Sequence, residues 1–348
     1  AVNLDEKNLI EYPIENIQAA GSPQLKLQSP KNCIEVMTGS VLPVGCNCVI
    51  PYEEVIIETT LNVKTAKIKK EFKRSNFLNI HREGSDYKES QFIIQKGTQI
   101  NSTVSAVIAS QGKSQVKIYQ TPKVAIVSTG SELVDLDRPV KSYQIHMSNS
   151  YAIENELLSF GFNKNTRVHI GDDLESIKTK IEECLKGFDI LILTGGVSKG
   201  KYDYVPETLI QLGVKKHFHK IKQRPGKPMW YGTSNEKKQI FALPGNPVSS
   251  LVCLRRYVIP ALLQASHKKD LIYSCILKED ISFKKDFHLF APVSVVTNSR
   301  GELWGGPIKT NGSGDFYSLS LSTGFLELPP EKNTFKAGEI YPYYPWGN

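Results

Sequence analysis

The segment KVAIVSTGSE, from Lys123 to Glu132, decides the fold of this 348-residue chain. Its continuous apolar run, Val124–Val127, is typical of a parallel β-strand that is buried on both faces. The run ends in small polar residues and Gly130, which predict a tight turn out of the strand. We therefore expect a strand of an α/β sheet, followed by a loop at the edge where such sheets bind ligands.

Strand and helix patterns alternate after this segment. Further strands are predicted at 167–170, 188–193 and 239–243, and helices at 148–160, 174–185, 204–212 and 247–263. Alternation over about 140 residues indicates a doubly wound α/β domain. The regions before residue 121 and after residue 270 carry short apolar runs separated by Pro and Gly, with one short helix pattern at 102–112. They predict small β-rich domains on either side of the α/β domain.

Composition limits the classes of protein. The chain is 40% hydrophobic, enough for packed cores, which excludes intrinsic disorder as its main state. It has no run of about 18 apolar residues that could span a membrane, and its start shows no signal-peptide pattern. The six cysteines show no zinc-binding pattern and predict reduced thiols in a cytoplasmic protein, with local metal or redox use of Cys46 and Cys48 as the alternative.

The net charge of +8 favours an anionic partner, which could be nucleic acid, a phosphorylated small molecule, an oxyanion or an acidic membrane surface. Part of the charge lies between Val63 and Arg74, where lysines recur without aromatic residues interleaved in a stacking pattern. This pattern fits the solvated face of a strand pair better than a nucleic-acid stripe.

Three loops rich in Gly and polar residues follow predicted strands of the α/β domain, at 128–132, 194–200 and 243–247. Such loops let backbone N–H groups approach a phosphate at the start of a helix, although tight turns also need Gly for packing alone. No P-loop or dinucleotide-binding motif is present. The predicted binding residues in these loops are Ser128, Thr129, Gly130, Gly195, Gly196, Ser198, Pro244 and Asn246.

Charged residues accompany these loops. Carboxylates follow the strand ends and predict a Mg²⁺ ion that bridges them to substrate oxygens; they are Glu132, Asp172, Asp173 and Asp203. Helix capping is the alternative role for the three aspartates. A proline-rich basic loop adds candidate ligands for phosphate or oxyanion, unless it is only a solvated turn; they are Lys220, Arg224 and Lys227. Because no nucleophile motif is present, we expect catalysis by anion positioning and a metal ion.

A set of motifs occurs in a fixed order between residues 36 and 257. The segments are Met37-Thr38-Gly39 with Leu42-Pro43, Asn79–Asp86, Ser128–Val134, the TGGVS segment with Asp203, Arg224–Pro228 and Leu243–Pro247. Together they resemble the motifs of molybdopterin molybdenumtransferases, the MoeA and gephyrin E-domain family. The TGGVS segment alone is shared with molybdopterin adenylyltransferases, so the specificity of the resemblance lies in the set.

The resemblance implies a transferase of molybdenum cofactor biosynthesis. Such an enzyme takes adenylated molybdopterin and molybdate, cleaves the AMP link with the help of Mg²⁺ and leaves molybdenum on the dithiolene. Glu132, Asp203 and one of Asp172 and Asp173 would arrange metal and pterin, and the basic loop would hold phosphate or molybdate. Thr38 and Asp86 would enter the catalytic site from the partner subunit of a homodimer. A molybdopterin adenylyltransferase is implied as a further partner.

The resemblance also implies an elongated multidomain protein. Its parts would be a β-rich domain II at 1–88, a remnant of domain I at 89–120, the molybdopterin-binding domain III at 121–270 and a β-rich domain IV at 271–348. Two departures stand out. The N-terminal region of the family is not in the sequence, and Leu289 stands where the family usually has a basic residue, so the resemblance does not extend to a basic contribution from the last domain.

Two other functions compete with the enzyme. A ligand-binding or gephyrin-like scaffold could use the same fold without turnover, but a scaffold would not need the carboxylates of the strand-end loops. A nucleic-acid binder is suggested only by the net charge, and no basic stripe with aromatic residues supports it. We therefore expect a small-molecule enzyme that binds neither nucleic acid nor a membrane.

Overall fold

The computed structural model describes residues 1–4, 9–197 and 204–347. The chain divides into two compact units, Ala1–Lys96 and Gly97–Asn348. The domain boundaries expected at residues 88, 120 and 270 stay predictions. Across the described part of the chain, no helix is long and apolar enough to cross a membrane.

The first unit is built on a four-stranded sheet in the order β2-β1-β4-β3. The strands are β1 (Glu11–Gln18), β2 (Cys33–Val36), β3 (Val55–Thr60) and β4 (Val63–Ile68). Strands β3 and β4 form a hairpin whose two turn residues, Leu61 and Asn62, both have positive φ, as the twist of a two-residue hairpin requires. Lys64 and Lys67 of β4 form surface ion pairs with Glu35 and Glu11. The basic run thus begins on a strand pair, as predicted.

The second unit begins with helix α1 (Ser102–Ser110) and continues as alternating strands and helices. The elements are β5 (Val124–Thr129), β6 (Leu133–Val134), β7 (Ile145–His146), α2 (Asn149–Ser159), β8 (Asn165–Ile170), α3 (Leu174–Gly187), β9 (Ile190–Thr194), α4 (Val205–Gln211), β10 (Lys215–His219), β11 (Gln223–Arg224), β12 (Trp230–Thr233), β13 (Gln239–Leu243), α5 (Pro247–Cys253) and α6 (Ile259–Ala265). A π-helical turn, Leu254–Val258, joins α5 to α6.

The central sheet has the order β10-β12-β13-β9-β5-β8, with β13, β9, β5 and β8 parallel. Side chains of β5 alternate between its faces, as period-two geometry dictates. Val124 and Ile126 pack in one apolar cluster with α2 and α6, whereas Ala125 and Val127 pack in another with α3 and α4. Helices therefore cover both faces, which confirms the doubly wound α/β domain.

The remainder of the second unit is rich in β-structure. Its elements are β14 (Tyr273–Leu277), β15 (Ile281–Ser282), β16 (His288–Thr297), β17 (Leu303–Pro307), α7 (Phe316–Leu321), β18 (Gly324–Leu328), β19 (Thr334–Phe335) and β20 (Ile340–Pro345). They build a six-stranded sheet in the order β11-β16-β17-β14-β20-β18. Its first strand, β11, comes from the basic loop of the α/β region and pairs in parallel with β16. This pairing places the basic loop against the C-terminal sheet.

Candidate functional site

A cleft of about 680 Å³ lies within the second unit, at the carboxyl ends of β5, β9 and β13. The α/β region supplies ten of the predicted residues to its lining: Thr129, Gly130, Glu132, Asp172, Gly195, Gly196, Arg224, Lys227, Pro244 and Asn246. Parallel strands end at one edge of a sheet, so loops that are far apart in sequence meet there. The structure therefore brings together the three strand-end loops and the basic loop.

Two glycines fix how closely the first two loops approach each other. A Cβ atom on Gly195 would lie 2.7 Å from the carbonyl oxygen of Thr129, and one on Gly196 would lie 2.8 Å from Cγ2 of Val205. Both residues also have positive φ, at 94° and 66°, where only glycine is unstrained. No larger residue fits this edge of the cleft without moving the loops.

The predicted carboxylates have different environments. Glu132 folds back over Gly130, and its carboxylate occupies the space of any side chain at that position. Asp172 accepts a hydrogen bond from the Ser131 N–H at 2.8 Å, and its own N–H donates to Ser131 Oγ at 3.0 Å. These reciprocal bonds hold the loops after β5 and β8 together and leave both carboxylates on the cleft.

Asp173 is a helix cap and does not line the cleft. It precedes α3, and its carboxylate accepts a hydrogen bond from the Ser176 N–H at 2.8 Å. This hydrogen bond lowers the pKa of Asp173 below its ordinary value. The capping alternative considered from the sequence therefore describes Asp173, and Asp172 is the member of the pair at the cleft.

The basic loop presents two of its three predicted cations to the cleft. Arg224 and Lys227 line it, and the Lys227 ammonium lies 5.2 Å from the centre of the Phe287 ring. Lys220 is exposed and does not line the cleft; it has positive φ, at the turn where the loop begins. Ser128 is also absent from the lining, since it is buried within β5.

Sequence reasoning missed the opposite wall, which the C-terminal β-region builds. Its lining residues are Lys285, Phe287, Leu289, Phe290, Pro292, Thr310, Gly312 and Ser313. Leu289 does face the cleft as an apolar residue, but Lys285 four positions earlier lines it too. The C-terminal region therefore brings a lysine to the cleft, at a position that the family motif did not mark. The lysine pair at 284–285 is visible in the sequence, but nothing local indicates that it reaches the cleft.

Hydrogen bonds join the walls and loops of the cleft. The Asn149 amide donates to Thr194 Oγ1 at 3.0 Å and to the Gly245 carbonyl at 2.7 Å, so the first residue of α2 bridges two loops. From the other wall, Ser313 accepts at Oγ from the Asn246 amide at 2.7 Å and at its carbonyl from the Val248 N–H. Sequence reasoning missed this role of Asn149, because a bridge between distant loops has no sequence signature.

Thr38 and Asp86 lie in the first unit. Thr38 lines a second cavity, of about 780 Å³, together with Glu35, Asn79 and His81. Asp86 is exposed, and its carboxylate lies 3.1 Å from His81 Nε2. The two family-like motifs of this unit, at 37–43 and 79–86, therefore border one cavity.

The remaining predicted residues, Ser198 and Asp203, lie outside the described residues. Within the described ranges, no group of three or more His, Cys, Asp and Glu side chains is close enough to hold a metal ion. Glu132 and Asp172 are the two carboxylates on the cleft there. The predicted magnesium site stays a prediction that rests on these two and on Asp203.

The cleft combines glycine-rich loops at the strand ends with two cations of the basic loop and two carboxylates. Cations and strand-end backbone are suited to a ligand with phosphate or oxyanion groups, and carboxylates to a hard divalent cation. The apolar wall formed by Phe287, Leu289 and Phe290 suits a flat organic portion of the same ligand. Fold and site thus describe an α/β protein with a cleft that is suited to a polyanionic organic ligand.

Three family models match the chain in sequence. The MoeA N-terminal region (domain I and II) matches residues 2–112, the probable molybdopterin binding domain matches 125–264, and the MoeA C-terminal region (domain IV) matches 274–346. A molybdopterin molybdenumtransferase of Synechocystis is 39% identical over 329 residues, which cover 94% of this chain and 81% of the relative. A molybdopterin molybdenumtransferase of Staphylococcus epidermidis is 30% identical, over 96% of this chain and 78% of its own length.

Solved structures agree with these matches. Two solved structures of molybdopterin biosynthesis MoeA protein from Pyrococcus horikoshii superimpose on this chain with TM-scores of 0.78 and 0.72, both at 25% sequence identity. They cover 97% and 99% of this chain and 82% and 85% of their own. The chain belongs to the MoeA family of molybdopterin molybdenumtransferases, the transferases of molybdenum cofactor biosynthesis. The resemblance seen in the sequence motifs is confirmed.

Proposed function

We propose that this protein inserts molybdate into adenylated molybdopterin and releases AMP, with Mg²⁺ as the metal. The observation that supports this most strongly is the cleft itself, in which two cations of one loop face two carboxylates of the strand-end loops. A ligand with both phosphate and oxyanion groups, together with a hard cation, satisfies both kinds of charge.

Each side chain has a role that its position favours. Arg224 can donate two parallel N–H bonds to a phosphate or a tetrahedral oxyanion, and Lys227 adds a point charge beside it. The glycines of the β9 loop let the diphosphate of the ligand approach the backbone closely. The rings of Phe287 and Phe290 cover one side and exclude water, which strengthens the charge interactions within the cleft.

The donor set fits magnesium. Glu132 and Asp172 offer carboxylate oxygens, the ligands that Mg²⁺ prefers, and a few protein ligands suffice because this ion keeps several waters. Asp203 would be the third carboxylate. When bound, the ion would neutralise charge on the phosphate oxygens as the AMP link breaks. The residues of the chain would hold and orient the two anionic substrates.

We also propose that the protein acts as a homodimer in the cytoplasm. Thr38 lines a cavity of the first unit, and the Asp86 carboxylate lies 3.1 Å from Nε2 of His81, which lines the same cavity. The two residues would complete the cleft of a partner copy. The six cysteines are all buried, unpaired thiols, which suits a reducing compartment. A molybdopterin adenylyltransferase would supply the adenylated substrate.

AMP release tests the proposal. The protein is incubated with adenylated molybdopterin, molybdate and Mg²⁺, and released AMP is quantified by chromatography. We expect release that depends on molybdate and Mg²⁺ and is lost in Asp172→Ala, while a protein that only binds or scaffolds would release none. The matched control is Asp137→Ala, an exposed aspartate outside the cleft, which should keep full release. Absence of AMP from the wild-type reaction would contradict the enzymatic function.

A further inference from the structure

A buried polar cluster lies beneath the basic loop 224–228. Its members are Gln223, which is 1% exposed, the fully buried Cys253, and Tyr257. The Gln223 amide donates to the Pro225 carbonyl at 3.0 Å and to Cys253 Sγ at 3.4 Å. The Cys253 thiol in turn donates to the Gly226 carbonyl at 3.6 Å. Two consecutive carbonyls of the loop are therefore bound by buried side chains from below.

The hydroxyl of Tyr257 fixes the orientation of the glutamine amide. Burial raises the pKa of Tyr257 to about 12 and that of Cys253 to about 12, so both groups keep their protons at neutral pH. The Tyr257 hydroxyl donates to Gln223 Oε1, which leaves the NH₂ group of the amide directed at the loop. A flipped amide would place its oxygen against the Pro225 carbonyl oxygen and leave that carbonyl without its donor.

The loop rests directly on this cluster. Gly226 has a φ of 93°, and a Cβ atom on it would lie 2.5 Å from both Cys253 Sγ and Gln223 Nε2. No space separates loop and cluster, so the cluster sets how far Arg224 and Lys227 extend into the cleft. Since buried polar groups need their partners, the arrangement resists small shifts of the loop.

Tyr257 is itself anchored. It belongs to the π-helical turn between α5 and α6, and the two preceding residues bind the C-terminal β-region. Arg255 forms a bidentate pair with Asp270 and donates to the Pro345 carbonyl, while Arg256 forms a bidentate pair with Glu327 of β18. Three consecutive side chains thus tie this turn to both sides of the cleft. Local π-helical geometry is often found at functional sites.

We propose that Gln223 and Tyr257 are positioning residues: they hold the basic loop in the position from which Arg224 and Lys227 bind an oxyanion in the cleft. Tyr257 does not line the cleft and acts through Gln223 and the loop. Gln223 borders the cleft but is 1% exposed, and its amide is bound to Pro225 and Cys253. This inference rests on the proposed function for its ligand, molybdate, but its structural basis is the hydrogen-bonded cluster.

The test compares Tyr257→Phe and Gln223→Met with Tyr343→Phe. Tyr343 is a matched control, because its buried hydroxyl binds Thr323 in the same unit but does not line the cleft. Tungstate is the probe, and its affinity is measured by calorimetry. We expect tungstate affinity to fall about fivefold in Tyr257→Phe and about tenfold in Gln223→Met, and to stay within twofold in Tyr343→Phe. In the AMP assay the KM for molybdate should rise by the same factors while kcat stays within twofold.

Hydrogen–deuterium exchange of the peptide 221–229 provides a readout that needs no substrate. We expect its exchange to rise at least fivefold in Tyr257→Phe, the milder change, and to stay unchanged in Tyr343→Phe. If the wild-type protein bound no tungstate, the proposed function would fail while the exchange comparison still decided the positioning role. Unchanged exchange in both cluster variants, or an equal rise in the control, would overturn the inference.

Discussion

The two walls of the cleft differ in how they are built. The α/β wall consists of loops at strand ends, held by glycines and by hydrogen bonds between loops. The C-terminal wall consists of side chains around strand β16, mostly apolar, with Lys285 as its cation. The first wall has no room for a Cβ atom at Gly195 or Gly196, whereas the second wall consists largely of side chains, which can adopt other rotamers. Substitutions on the first wall should therefore reduce AMP release and tungstate affinity far more than substitutions on the second.

Gly195→Ala should have the largest effect. The added methyl group would lie 2.7 Å from the Thr129 carbonyl, and the left-handed backbone adds about 1–2 kcal/mol of strain. Because the loop must shift, we expect AMP release to fall about 100-fold. Gly187→Ala is the control, since nothing lies within 4 Å of a Cβ at that position, and it should release AMP normally. Near-normal release by Gly195→Ala would show that the β9 loop is not part of the site.

Arg224→Met should have the second-largest effect. The variant keeps the apolar length of the side chain but removes the guanidinium, and hydrogen bonds to a charged group contribute about 1.5–3 kcal/mol. We expect the affinity for tungstate, measured by calorimetry, to fall about 10- to 100-fold. Arg138→Met, in an exposed segment outside the cleft, is the control and should bind as the wild type does. If Arg224→Met and the wild type bound tungstate with equal affinity, the basic loop would not be part of the oxyanion site.

Lys285→Ala tests the second wall and should have a smaller effect. Lys285 is exposed at the rim, where a single charge contributes about 1 kcal/mol or less. We expect tungstate to bind about three- to fivefold more weakly at low salt, with the difference shrinking as salt is added. Lys284→Ala, at the neighbouring position that does not line the cleft, should bind as the wild type does. A larger loss for Lys285→Ala than for Arg224→Met would reverse the ranking of the two walls.

Asp173→Ala should have the smallest effect on turnover. The variant removes the cap of α3, so the thermal midpoint should fall by about 2 °C while AMP release stays within twofold. Because the folded-state pKa of Asp173 is lowered, its stabilisation is present above the ordinary value of 3.8 and disappears as the pH falls through the lower folded value. The difference in midpoint between variant and wild type should therefore vanish in strong acid. Lost AMP release at an unchanged midpoint would instead make Asp173 a ligand of the site.

The first wall could be predicted from the sequence and the second could not. The ends of parallel strands can be recognised in the sequence, because an apolar run stops at Gly and polar residues, as in β5, β9 and β13. The C-terminal wall has no such local signal, because Lys285 and Ser313 reach the cleft through the pairing of β11 with β16 and the contact with α5. Pairing between segments that are distant in sequence depends on the tertiary structure, so a local sequence pattern does not predict it.

The same reasoning explains the mixed result for charged residues. Asp172 and Asp173 are neighbours in sequence with equal chemistry, and only the backbone geometry decides that the first bonds to the β5 loop and the second caps α3. Lys220 and Arg224 are likewise close in sequence, but the turn with positive φ at Lys220 separates their directions. Residue type and spacing were sufficient to predict the basic loop. Which of its side chains line the cleft depends on the backbone conformation of the folded chain.

A crystal structure of the protein with tungstate and AMP would test the central claim most directly. The anomalous signal of tungsten locates the oxyanion without ambiguity. We predict tungsten beside Arg224 and Lys227, with the AMP phosphate at the glycines of the β9 loop. Tungsten bound only in the cavity that Thr38 lines, or only on the exposed lysines of the first unit, would contradict the assignment of this cleft as the site of molybdate insertion.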